Sequence, residues 1–174
     1  MEMAAARDRL VDSLVATEVI TKTATAEALR AVPRHEFVGD DQQELAYQDR
    51  PLPIGNDQTI SAPHIVGQML DLINVGPGDR VLEIGTGCGY HAAVTAEVVG
   101  DGRDGWPEKA PFDASYLTCA AAEPPAAVIK QTATDAVVVG PFGAGQQELK
   151  RLTPQPDGGY EAETIAPVRF VTMQ

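Results

Sequence analysis

A chain of 174 residues can bury the core of one domain, and its 44% apolar content is that of an ordinary globular protein. The formal charge is −12, from 25 acidic against 13 basic residues, which excludes a nucleic-acid backbone as partner. No apolar run approaches a membrane span, and the charges within "MEMAAARDRLVDSL" break up any signal-peptide core, so a cytoplasmic protein is expected.

Only Lys22, Lys109, Lys130 and Lys150 are lysines. Scarce lysine beside abundant Asp, Ala, Val and Thr suits a halophilic protein, in which salt screens the repulsion of a dense carboxylate surface. A well-solvated acidic surface is the plainer reading. Cys88 and Cys119 lie in no CxxC or Cys/His cluster, which predicts free thiols and no metal site.

Residues 3–32 read as two helices. Leu10, Val11, Leu14 and Val15 recur at helical spacing, and Thr23 or Thr25 can cap the second helix before Pro33. Residues 33–60 read as irregular, punctuated by Pro51, Pro53 and Gly55. A helix starts near Pro63 with Ile65, Val66, Met69, Leu70 and Ile73 on its apolar face. Residues 80–99 read as strand, glycine loop and helix. Strands are predicted at 112–120 and 136–140, with a short helix after Pro125 between them. Residues 146–173 read as two strands about a Pro-Asp-Gly-Gly turn. Alternating strands and helices predict an α/β fold with a mostly parallel sheet.

"VLEIGTGCGY" places Gly85, Gly87 and Gly89 between strand and helix. Glycines allow close approach of a ligand, and the helix N-terminus beyond them favours a carboxylate or a phosphate. Glu83, at the strand end, suits a cationic group such as an amine. The spacing is neither that of a dinucleotide loop nor that of a P-loop. A glycine-rich turn without a ligand is the other reading. In "PLPIGNDQTISAPHIVGQML", Ser61 read locally is a helix cap before Pro63, and His64 a surface or packed histidine. No nearby base and acid make Ser61 a triad nucleophile.

"E-x-G-x-G-x-G" resembles the first motif of S-adenosylmethionine-dependent methyltransferases. Together, "VPRHEFV", "AYQDRPLPIG", "QTISAPH", "PGDRVLEIGTGCGYHAAV" and "DGRDGWPEKAPFDA" resemble the protein-L-isoaspartate O-methyltransferase family over roughly residues 9–172. The resemblance implies a Rossmann-like methyltransferase sheet with helices on both faces, in a single domain of residues 1–174. Residues 1–60 would be a helical extension and substrate loop, and 61–174 the cofactor core and C-terminal strands. It implies methyl transfer from S-adenosylmethionine to the free α-carboxylate of L-isoaspartyl residues in damaged proteins. Ser61 would orient that carboxylate as the active-site residue, with His64 also on the substrate side. Gln58, Thr59, Ile60 and Ser61 would lie over the cofactor. Glu83, Gly85, Gly87 and Gly89 would hold its methionine end, and Asp101 and Gly102 would lie beside its adenine.

One segment of the family pattern is missing. A strand, a helix and a further strand should separate the helix at 90–99 from Asp101-Gly102, but here the two are joined directly at about residues 100/101. The missing second strand is the one that carries the acidic residue for the cofactor's ribose. Its loss would leave the strand at 81–84 as the sheet edge, exposing an apolar strand and helix face. A monomer is expected, with dimerisation through that edge as the other option. Two functional readings follow: the repair enzyme, or an inactive deletion remnant that is at most a binding module for isoaspartyl peptides.

Overall fold

In the computed structural model, which describes residues 2–99 and 110–173, the chain divides into two units. One comprises Met1–Asp71 with Thr86–Val98, the other Leu72–Gly85 with Val99–Gln174.

The first unit begins with α1 (Glu2–Ala16), which buries Val11 and Leu14 as their three-residue spacing requires. α2 (Thr23–Ala31) buries Ala26, Ala28 and Leu29. Neither predicted threonine caps it. The N-cap is Lys22, without a side-chain cap bond, and Thr25 is buried. Asp71 serves the chain just before the helix instead, accepting from the Thr21 amide at 2.6 Å and the Lys22 amide at 3.3 Å. Arg30 ties α2 to α1, with Nη2 at 2.6 Å from Asp12.

The stretch read as irregular holds two 3-10 turns, Arg34–Phe37 and Asp40–Leu45, and then a hairpin. β1 (Leu52–Gly55) pairs antiparallel with β2 (Gln58–Ile60). Asn56 and Asp57 form its two-residue turn with φ of 50° and 56°, the left-handed backbone that tight hairpins need and Asn and Asp tolerate. α3 (Pro63–Ile73) follows, with Val66, Met69 and Leu70 at most 2% exposed. Gly67 makes room for Ile20 beside it, since a Cβ there would lie 2.7 Å from that side chain and displace it. α4 (Tyr90–Val99) buries Tyr90, Val94 and Thr95.

The second unit is built on a five-stranded sheet of β3 (Val81–Ile84), β4 (Phe112–Leu117), β5 (Thr132–Phe142), β6 (Gln147–Pro154) and β7 (Tyr160–Val168), in that spatial order. β3, β4 and β5 are parallel, as strand–helix alternation predicts. β6 and β7 extend the sheet antiparallel as a hairpin, so the sheet is mixed. α5 (Ala126–Gln131) runs straight into β5, and the β4–β5 register breaks before Ala114↔Val137. Val128 and Ile129 of α5 pack with Leu117, Val138, Phe142 and Leu152 to form the core of this unit.

β3 is the edge of the sheet, where loss of the two outer strands would leave it. Among the described residues the expected exposed apolar face is not found. Val81 is buried, Leu82 and Ile84 are partly buried against the core cluster, and Val94 of α4 is fully buried. Among the described residues the exposed large apolar side chains are Val15 and Tyr160. No described helix is long and apolar enough to cross a membrane.

Candidate functional site

The hairpin presents Gln58 half-buried, Thr59 exposed and Ile60 buried. Ile60 faces Leu52 across the hairpin, which anchors the strand and leads the chain into half-buried Ser61. Ser61 is not the cap of α3. The amides of Ile65 and Val66 bond the carbonyl of Ala62, and the side-chain cap comes from Asp49. Asp49 Oδ1 accepts from the backbone amide of His64 and contacts His64 Nδ1, both at 2.9 Å. One carboxylate thus satisfies the start of the helix and fixes the imidazole ring.

The Ser61 carbonyl is held as well. Arg34 donates from Nη1 to it at 2.7 Å, from Nε to the Ala46 carbonyl at 2.9 Å and from Nη2 to the Arg50 carbonyl at 3.2 Å. Its guanidinium carbon lies 5.1 Å from the centre of the Tyr90 ring. Within the first unit Arg34 therefore brings the Ser61 loop and the first residue of α4 together.

The glycine loop connects β3 to α4. Gly85, Gly87 and Gly89 have φ of 92°, 55° and 84°, which side chains rarely adopt. A Cβ on Gly85 would lie 2.9 Å from Cys119 Sγ and 3.0 Å from Thr118 Oγ1. The Thr118 hydroxyl donates to the Gly85 carbonyl and its amide to the Ile84 carbonyl, the latter at 2.8 Å, so β4 fixes the start of the loop. The Ala93 amide reaches the Gly89 carbonyl at 2.9 Å, opening α4 immediately after the last glycine.

Glu83 stands opposite Tyr116 in the parallel register. Burial pushes its carboxyl up to about 7, against the opposing effect of a hydrogen bond with Tyr116. Its Oε1 is buried without a hydrogen-bond partner. A buried carboxylate oxygen lacking a donor, at the end of a strand that opens into a glycine loop, fits an ammonium ligand.

The predicted residues are thus distributed over both units. Gln58, Thr59, Ile60, Ser61, His64, Gly87 and Gly89 belong to the first, and Glu83 and Gly85 to the second. Asp101 and Gly102 lie outside the described residues. Arg34, Asp49 and Tyr90 were not singled out by the sequence, although they stand inside its motifs "VPRHEFV", "AYQDRPLPIG" and "GCGYHAAV".

A family model described as protein-L-isoaspartate(D-aspartate) O-methyltransferase matches residues 5–100 and 97–174, two parts that meet at the expected junction. The chain belongs to this family. A protein-L-isoaspartate O-methyltransferase of Methylorubrum extorquens (strain PA1) is 38% identical over 204 residues, covering 99% of this chain and 90% of that protein. Protein-L-isoaspartate O-methyltransferase 1 of Cupriavidus necator is 43% identical over 176 residues, covering 82% and 68%. An alignment of 204 positions onto a chain of 174 leaves about 30 positions of the Methylorubrum protein without a counterpart here. That is the length of a strand–helix–strand segment. A Plasmodium falciparum chain described as a protein-L-isoaspartate O-methyltransferase, solved with S-adenosyl-L-homocysteine, superposes with a TM-score of 0.80 at 21% identity, covering 97% of this chain and 98% of that one. A second solved protein-L-isoaspartate O-methyltransferase gives 0.84 at 23% identity, covering 97% and 66%. At these identities the two structures establish the fold, a Rossmann-like methyltransferase. The family's cofactor is S-adenosylmethionine.

Proposed function

We propose that this chain repairs damaged proteins by moving a methyl group from S-adenosylmethionine to the α-carboxylate of L-isoaspartyl residues. The observation that carries this reading is where the shortening falls. It comes after α4, so the Gln58–Ser61 loop and the Glu83–Gly89 loop both precede it and are built.

When bound, the cofactor supplies a methyl group on a sulfonium, which is already a good leaving group. The substrate carboxylate is already a nucleophile, so the chain needs only to position it and exclude water. Ser61 donates a hydrogen bond that orients the carboxylate, and His64, steadied by Asp49, lines the substrate side. The carboxylate of Glu83 takes the ammonium of the cofactor's methionine end. Gly85, Gly87 and Gly89 would let the backbone approach that same end, and Gln58, Thr59 and Ile60 are the further residues we assign to the cofactor. Among the described residues no strand between α4 and β4 supplies an acidic residue to the ribose, so affinity for the cofactor rests on the methionine end. The same reading makes the chain a cytoplasmic monomer acting as one domain, with an acidic surface suited to high salt.

The test is Ser61→Ala assayed with an L-isoaspartyl peptide. Turnover is expected to fall about 10- to 100-fold with cofactor affinity nearly unchanged. An unaltered methylation rate would remove Ser61 from this role.

A further inference from the structure

Arg34 is fully buried, at 0% exposure, at the start of the first 3-10 turn. A charge in that position is tolerated only when its donors are satisfied. Its guanidinium donates to three main-chain carbonyls, those of Ala46, Arg50 and Ser61, and it also bonds the Tyr90 side chain. Burial lowers its pKa from the ordinary arginine value. A side chain needed only to fill space here would be apolar. A planar fork with five donors does something an apolar side chain cannot, which is to lock several loop segments in one geometry. One of those segments carries the serine on which the proposed chemistry depends. Beneath the fork lies the Tyr90 ring, itself braced edge-on by Phe37 with ring centres 5.5 Å apart.

We infer that Arg34 is a positioning residue for methyl transfer, holding the main chain of Ser61 so that its hydroxyl meets the substrate carboxylate. The inference rests on the role proposed above for Ser61. It places a fixed point of the substrate loop 27 residues upstream of the serine, where the Arg34 side chain reaches the Ser61 carbonyl.

A double-mutant cycle on the full chain tests it, using Arg34→Lys, Ser61→Ala and the pair. Lysine keeps the buried charge, but its single nitrogen cannot span the three carbonyls. Arg34→Lys should lower kcat for an L-isoaspartyl peptide about 10- to 100-fold and leave the Kd for S-adenosylhomocysteine within about twofold. Added to Ser61→Ala, it should cost no more than about a further twofold, because the hydroxyl it positions is already gone. Losses that multiply would overturn the inference and leave the role of Ser61 standing. A Ser61→Ala enzyme as fast as the parent would instead remove the role of Ser61, and this inference with it. If Arg34→Lys does not fold, Tyr90→Leu, which withdraws the ring beneath the guanidinium, takes its place in the same cycle. The same non-additivity is expected, and multiplying losses again overturn the inference.

Discussion

Replacing Glu83 by glutamine separates stability from cofactor binding. In the folded chain without ligand, burial raises the Glu83 carboxyl from 4.5 to about 7. At about 1.4 kcal/mol per unit, keeping this group ionised in the folded state costs on the order of 3 kcal/mol. The folded pKa is the higher one, so the folded chain binds the proton more tightly than the unfolded chain. Its contribution is therefore fully present below 4.5 and is lost as pH rises through about 7. Glu83→Gln has no proton to lose. Urea unfolding should show the variant close to the parent at pH 5 and more stable at pH 8, by up to about 3 kcal/mol.

Binding should move the opposite way. The ionised fraction of Glu83 rises from about a tenth at pH 6 to about three quarters at pH 7.5. Calorimetric affinity for S-adenosylhomocysteine should accordingly rise roughly eightfold over that interval in the parent. In the variant it should stay flat and be about tenfold weaker or more at pH 7.5. Identical pH profiles of stability, together with unchanged affinity, would refute the assignment of Glu83 to the ammonium.

Gly85→Ala forces a side chain into a positive-φ position and against Cys119 Sγ, so it should destabilise by about 1–3 kcal/mol and weaken cofactor binding. Thermal melting and calorimetry would report both effects, and a neutral substitution would contradict the geometry of the loop. Asp49→Ala removes the cap of α3 and frees the His64 ring, with an expected loss of about 0.5–2 kcal/mol. In steady-state kinetics it should raise KM for the isoaspartyl peptide more than KM for the cofactor. Finally, a chain of net charge −12 should melt at a higher temperature in molar potassium chloride than in 0.1 M, because salt screens its self-repulsion. A melting temperature independent of salt would count against adaptation to high salt.

Much of the fold was legible in local sequence. Val66, Met69 and Leu70 announce a buried helix face by spacing, and the glycines at 85, 87 and 89 announce the turn that the backbone makes. The edge position of β3 also followed from sequence, since joining the motif at 90–99 directly to Asp101-Gly102 leaves no residues for two outer strands. The hairpin at 52–60 was hidden because its strands are short and interrupted by proline, so no two-residue period develops. Arg34 and Asp49 were hidden for another reason. Their partners lie 12 to 27 residues away and are chiefly backbone atoms, which leave no pattern in side-chain sequence. The raised Glu83 carboxyl was out of reach because it depends on burial, which a strand's local sequence does not give. The sequence could mark Glu83 as an acid at a strand end, but not as one whose Oε1 is buried without a donor.

The central claim is that the shortened chain still transfers a methyl group. The direct measurement incubates the full chain with methyl-labelled S-adenosylmethionine and two peptides that differ only in an L-isoaspartyl or an L-aspartyl linkage. Alkali-labile label is expected on the isoaspartyl peptide alone. No label on either peptide at saturating cofactor, or equal label on both, would contradict it.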